Sequence, residues 1–248
     1  MNVLYAFCRY ADDIADEAAP DDWKQARLES WRQQVESALS GGMGDAGMLP
    51  AVCDVIRRYD IRKEWLLELL DGVAQDLRPV RFTTWEELER YCHRVAAVVG
   101  FASLRIWGCR QEAALRPAES AGQAFQLTNI LRDLRADAGM GRVYLPEELW
   151  RPLGADPAEL TQTALPPAWL RAAEQAAERA EQHYVAAAEL TNYLPPPGRA
   201  IWYAMSETYR AILSDLRRRS FAMGAGRVGW LRRLRLFTVA WARRWTGA

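Results

Sequence analysis

The chain has 248 residues, half of them hydrophobic, and its 32 basic side chains balance its 32 acidic ones. That length buries one sizeable core or two small ones, and the hydrophobic content excludes a disordered chain. Zero net charge gives no bulk-charge case for nucleic acid as a partner. Cys8, Cys53, Cys92 and Cys109, scattered without metal spacing, read as reduced residues of a cytoplasmic protein.

Apolar residues recur at three- and four-residue spacing almost throughout, and alternating β-branched runs are absent. This pattern predicts helices near 1–18, 21–39, 49–59, 62–77, 84–110, 117–137, 167–192, 197–220 and 228–246. Pro20, the glycine-rich stretch Ser40–Pro50, Pro79, Pro117, Gly139–Pro146, Pro152–Pro167 and Pro195–Gly198 separate them. Asp21 with Asp22, and Thr83 with Glu86, look like helix starts. His93 and His183 have no partner motif and read as helix-surface residues, which argues against a zinc site or a Ser-His-Asp site. Met1–Cys8 lacks a basic stretch followed by an apolar core, so no signal peptide is expected. No apolar run reaches membrane-span length. The expected architecture is all-α: a single-domain helical bundle, residues 1–248, around a central cavity.

Two stretches carry the chemistry. In YAFCRYADDIAD, Tyr5, Arg9, Asp12 and Asp16 share one helical face. In QLTNILRDLRAD, Gln126, Asn129, Asp133 and Asp137 do the same. Like charges at i, i+4 repel, so a fold that does this twice has reason to place a cation between the pairs. Oxygen-only ligation suits magnesium, which substrate phosphates commonly complete. Arg9 reads equally as a phosphate contact or as an ion-pair partner of Asp12 or Asp13. Tyr5, Ala6, Phe7, Cys8 and Ile14 read as buried flanks of the first stripe. The amides of Gln126 and Asn129, in an otherwise apolar helix, either serve a ligand or form a structural polar network. Ala96, Gly100 and Ser103 form a small-residue stripe that either leaves room for an apolar tail or admits a neighbouring helix.

These motifs, with DGVAQDL (Asp71–Leu77), YCHRVAAVVG (Tyr91–Gly100) and GRVYLP between or after them, resemble the squalene/phytoene synthase family in order and spacing from Met1 to about Phe221. The resemblance implies an isoprenoid-synthase-like bundle and a magnesium-dependent head-to-head (1'–1) coupling of two prenyl diphosphates. It implies Asp12, Asp16, Asp133, Asp137 and Tyr91 as catalytic residues, with Asn129 joining the four aspartates around metal. It implies Tyr5, Arg9, Gln126, Asn129, Arg132, Tyr144 and Tyr209 as substrate-binding, with the tyrosines lining the cavity. The texture of NILRDL and HRVAAVVG is nearer the bacterial squalene-pathway members, which use farnesyl diphosphate and make presqualene diphosphate or a squalene precursor. The alternatives are a phytoene synthase using geranylgeranyl diphosphate, a terpene cyclase, and a non-catalytic helical interaction domain.

Three features qualify the match. Ala136 stands where the family commonly has an acid, which is expected to weaken metal binding. There is no Gly-rich dinucleotide loop, but family members that use NADPH also lack one, so NADPH is compatible without being indicated. Met1 falls within the first helix, upstream of which family members usually carry a further diphosphate-binding segment. The chain therefore reads as N-terminally short, with the first stripe near a fraying end. Gly226–Trp245 is basic and aromatic, without an acid. The segment 226–248 reads either as a peripheral contact with an anionic inner-membrane surface or as a terminal helix packed on the bundle.

Overall fold

The structure, a computed structural model, describes residues 1–42, 47–162 and 164–226. The segment 226–248, expected as a basic helix, lies outside these residues apart from Gly226. The described helices are α1 (Asn2–Asp16), α2 (Asp21–Leu39), α3 (Leu49–Tyr59), α4 (Lys63–Gln75), α5 (Trp85–Cys92), α6 (Val98–Ile106), α7 (Leu115–Gly139), α8 (Glu147–Trp150), α9 (Pro167–Ala187) and α10 (Pro196–Arg218). No strand forms among the described residues. One isolated parallel bridge joins Arg81 to Val143, where the Val143 amide donates to the Val80 carbonyl at 2.9 Å. None of the described helices is long and apolar enough to cross a membrane.

The long helix α7 forms the spine, packed by α6, α9 and α10. Its side toward α9 is lined by small and branched residues, among them Ala124, Leu127 and Leu131, while α9 answers with Ala172, Ala173, Ala176, Ala177 and Ala180. Alanine on the facing helix lets the two backbones approach closely, so the contact is dense without large side chains. Each fully buried leucine in this core contributes about 1.5–3 kcal/mol. A second apolar cluster joins α1 to α4 with α6, around Phe7, Ile14, Trp31 and Leu70.

Several local expectations shift. The cap of α5 is Thr84 with Glu87, one residue later than Thr83 with Glu86. Thr84 is the residue in the extended conformation, so its hydroxyl accepts from the Glu87 amide at 3.3 Å and Glu87 reaches back. Asp21 and Asp22 occupy the first turn of α2 and favour its dipole there, but no side chain caps that helix. Pro117 lies inside the first turn of α7, where a missing amide costs nothing, so α7 starts before it. The breaker-rich stretch after Pro146 holds α8 and two 3₁₀ turns, Arg151–Leu153 and Pro157–Thr161.

The expected helix 84–110 is interrupted by a π-turn at His93–Ala97, closed by the Val98 amide on the His93 carbonyl. Contrary to the surface reading, His93 is half-buried and tied into the bundle. Its Nδ1 lies 2.6 Å from Glu119 of α7 and its Nε2 lies 3.0 Å from Glu68 of α4. A neutral imidazole has one N–H, so only the doubly protonated ring donates to both carboxylates. The hydrogen bond to Glu119 outweighs burial and, with Glu68, raises the pKa of His93. A raised folded-state pKa means that this stabilisation is complete below the unfolded value of about 6.5 and disappears as pH rises through the folded value. The melting temperature of the wild type is therefore expected to fall more steeply than that of His93→Gln as pH rises above about 6.5. Equal slopes in thermal scans would remove this assignment. His183 is also partly buried, and desolvation lowers its pKa.

Candidate active site

Helix α1 buries Leu4, Phe7, Ala11, Ile14 and Ala15. That periodicity turns Arg9, Asp12, Asp13 and Asp16 to the opposite, solvent-facing side. Tyr5 turns with them and is 70% exposed, so it is neither a buried flank nor a wall of the apolar cavity. Arg9 lies 2.8 Å from Asp13, one turn on, with both side chains largely exposed.

On α7 the polar residues Gln126, Asn129, Asp133 and Asp137 run along one stripe toward the helix C-terminus. Asp133 receives the Arg132 guanidinium at 2.5 Å. Gln126 accepts a long bond, 3.4 Å, from the Asn129 amide nitrogen, and the Asn129 side-chain oxygen is buried without a hydrogen-bond partner.

Two residues that sequence reasoning left without a role bring the stripes together. Asp76, at the C-terminal end of α4, accepts from the Tyr91 hydroxyl at 3.0 Å and from the Tyr144 hydroxyl at 2.8 Å. Phe82 packs against both tyrosine rings, at 5.4 and 6.3 Å between centroids. Arg142 lies 3.6 Å from Asp16. Asp76 feels the charges of Asp16 and Arg142, and both Asp12 and Asp137 feel Asp76. The α1 and α7 stripes thus share one electrostatic neighbourhood, with Asp76 and Arg142 inside it. The DGVAQDL and GRVYLP motifs contain both residues, but spacing along the chain cannot show a contact across 68 residues.

The crowding of acids has a measurable signature. Solvent still reaches Asp12, yet enough protein surrounds it that desolvation, then the charges of Asp16 and Asp76, push its pKa up to about 6. Desolvation and Asp133 push Asp137 up to about 7, against the pull of Arg142. Burial also raises Asp76, although its two tyrosine hydrogen bonds oppose this. Burial works against the charge of Arg142, but the surrounding Tyr144, Asp76, Asp16 and Asp137 outweigh it.

Beside the stripes lies an apolar cavity of about 210 Å³. Ala96, Gly100 and Ser103 line one wall, as the small-residue stripe allows, and Phe125, Gln126 and Asn129 line another. Tyr209 also borders it, stacked on Phe125 at 4.4 Å. Tyr91 and Tyr144 do not line this cavity, because their rings are buried against Phe82 with their hydroxyls turned to Asp76. A larger groove of about 1160 Å³ between α2 and α4 borders neither stripe. Arg32, paired to Asp71, lies in its wall.

No group of three His, Cys, Asp or Glu side chains among the described residues is assembled to hold a metal ion. The donor set nevertheless fits a hard cation. It consists of carboxylates that repel one another and an amide oxygen, that of Asn129, buried without a partner.

Fold and site together define an all-α enzyme with acidic helices set beside an apolar cavity. The family model for squalene/phytoene synthase matches residues 1–235. The chain is 34% identical over 220 residues to a presqualene diphosphate synthase of Sinorhizobium fredii, covering 88% of this chain and 78% of that protein. It is 35% identical over 208 residues to a phytoene synthase of Pseudescherichia vulneris, covering 81% and 67%. The crystal structure of a dehydrosqualene synthase in complex with ligand superposes with a TM-score of 0.88 at 27% identity, covering 97% of this chain and 84% of that one. The chain belongs to the squalene/phytoene synthase family.

Proposed function

We propose that this enzyme joins two prenyl diphosphates head to head (1'–1), using two farnesyl diphosphates to form presqualene diphosphate. The observation that carries this reading is the pair of aspartate stripes converging on Asp76 and Arg142 beside an apolar cavity with two amides in its wall. The similarity to a presqualene diphosphate synthase supports the farnesyl substrate. The similarity to a phytoene synthase supports geranylgeranyl diphosphate as the second reading.

In this proposal Asp12, Asp16, Asp133 and Asp137, with Asn129, hold magnesium. Bound magnesium supplies positive charge that neutralises the departing diphosphate. Tyr5 and Arg9 meet a diphosphate from the exposed face of α1, and Arg132 and Gln126 meet one from α7. Tyr91 and Tyr144 fix Asp76 between the stripes, so their effect on turnover passes through that carboxylate. Tyr209 and Phe125 present ring faces where the allylic cation develops, and the apolar wall keeps water from quenching it. The double bond of the second chain then attacks that cation, and the tertiary cation so formed closes to a cyclopropane as a proton is lost to the released diphosphate.

Incubation with farnesyl diphosphate and magnesium is expected to release diphosphate and yield a C30 product of 1'–1 connectivity by mass spectrometry. Chelation should stop both. If neither farnesyl nor geranylgeranyl diphosphate gives a magnesium-dependent 1'–1 product, the assignment is wrong.

A further inference from the structure

The π-turn at His93–Ala97 is wedged between α4 and α7, the helices that carry Asp76 and the second stripe. Against α4, a Cβ on Gly72 would stand 2.7 Å from the Val95 Cγ1 and 2.9 Å from the Arg94 Cβ. Against α7, a Cβ on Gly122 would stand 2.5 Å from the Ala97 Cα. Only glycine permits either approach, so the turn has no room to move toward one helix or the other. It yields only if the helices part or slide.

His93 opposes that parting. From the start of the turn its ring reaches Glu68 of α4 at 3.0 Å and Glu119 of α7 at 2.6 Å. The two helices that press on the turn are thus tied to each other through one imidazole, and both carboxylates favour its charged form. Phe101 of α6 meets the ring edge to face at 5.9 Å and is itself packed on Trp65 of α4, which holds the ring plane. The polar groups beside the tie are already engaged. Gln123 of α7 donates to Glu119 at 2.8 Å, and Glu89 of α5, whose charge His183 of α9 feels, is paired with Arg179 of α9. Solvent reaches all three members of the tie, so its proton equilibrates with bulk pH.

The tie lies away from the reacting atoms but on the elements that place them. The turn gives Val95 and Ala96 to the cavity wall. Tyr91, on the preceding turn, donates to Asp76. At 1.5 Å per residue, Asp76 lies about 12 Å along α4 from Glu68, and Asn129 lies about 15 Å along α7 from Glu119. Rigid helices therefore carry a change of spacing at the tie to Asp76 on one side and to Gln126 and Asn129 on the other.

We propose that His93 is a positioning residue, whose ring holds α4 and α7 at the spacing that sets Asp76 and the cavity wall against the amides of Gln126 and Asn129. This deepens the head-to-head reading and rests on it. A neutral ring has one N–H and satisfies only one of the two glutamates, so loss of a proton opens the tie on one side. Turnover then falls although every group that meets substrate is still present.

The experiment measures kcat/KM for farnesyl diphosphate at saturating magnesium in the wild type, His93→Gln and His93→Arg, at about pH 6.5 and in steps above it, well below each melting temperature. The site aspartates and His183 titrate in all three proteins, so each variant is read as a ratio to the wild type at the same pH. Arginine keeps its charge throughout and has donors for both glutamates, whereas glutamine is never charged. At the lowest pH His93→Gln is expected to lose about tenfold while His93→Arg stays within about threefold of the wild type, since small misplacements of positioned groups cost about this much or more. As pH rises the glutamine deficit should close and His93→Arg should gain on the wild type, because the wild type then loses its own tie. If His93→Gln does not fold, that gain of His93→Arg carries the test. Ratios that stay flat with pH overturn the proposal whatever their size, because lost packing alone does not titrate. Affinity for the non-reacting farnesyl thiodiphosphate, by calorimetry with magnesium, should follow the same pattern without turnover. If affinity shows the pH-dependent shift while no 1'–1 product forms from farnesyl or geranylgeranyl diphosphate, the positioning role stands and the reaction assignment falls.

Discussion

Asp12→Asn is expected to lose about a hundredfold or more in turnover and, without metal, to melt at a higher temperature than the wild type. The first effect follows from removing a charged oxygen from the site that would hold the diphosphate's counter-charge. The second follows from the crowding on α1 and around Asp76. Desolvation and the charges of Asp16 and Asp76 hold the Asp12 pKa at about 6, above its unfolded value. A carboxyl whose folded pKa is raised lends stability below the unfolded pKa, and that stability is lost as pH rises through the folded pKa. At about pH 8 the ionised carboxylate is therefore a burden that asparagine lifts. Asp137→Asn should behave alike, with its loss extending to about 7. Turnover at saturating magnesium, together with melting temperature in chelator at pH values on both sides of these, checks both halves. Near wild-type turnover would clear Asp12 of a role in the reaction. A lower melting temperature would show that the carboxylate is held by partners and not strained by its neighbours.

The second large effect separates two glycines that look alike in sequence. A Cβ on Gly122 would stand 2.5 Å from the Cα of Ala97 and 2.6 Å from its nitrogen. Those are backbone atoms of the π-turn and can yield only if α7 and that turn separate. Gly122→Ala is expected to cost about 3 kcal/mol and to lower the melting temperature by about 10 °C. A Cβ on Gly100 meets only the Ala118 carbonyl, at 3.9 Å. Gly100→Ala should leave stability unchanged or raise it by about 0.5–1 kcal/mol through helix propensity. Thermal unfolding of the two variants side by side decides the matter. Equal losses would mean that both glycines serve close packing.

The sequence carried the helices well because amphipathic spacing and proline breaks are local signals. It also carried the two acid stripes, since like charges repeated at one-turn spacing stand out against an apolar background. The small-residue stripe stayed ambiguous because an open wall and a tight crossing require the same residue types. Only the neighbours of Gly100 and Gly122 tell them apart. The tyrosines were placed by type, as rings for a cavity. Tyr5 instead faces solvent and Tyr91 and Tyr144 hold Asp76, because partners distant in sequence decide where a hydroxyl points. His93 reads as a surface residue in sequence for the same reason, since its partners Glu68 and Glu119 come from two other helices.

The π-turn at His93–Ala97 acts as a phase shifter between two halves of what would otherwise be one rod. It accommodates one more residue than an α-turn, so everything after it is rotated by about 100° relative to everything before it. Tyr91, on the near side, points to Asp76, while Gly100 and Ser103, on the far side, line the apolar cavity. The angle between the carboxylate holder and the hydrocarbon wall is thus set by one extra residue, independently of what either side chain is. Removing a residue from this stretch would give a more regular helix whose two working faces no longer address the same substrate. Regularity and function are out of register here.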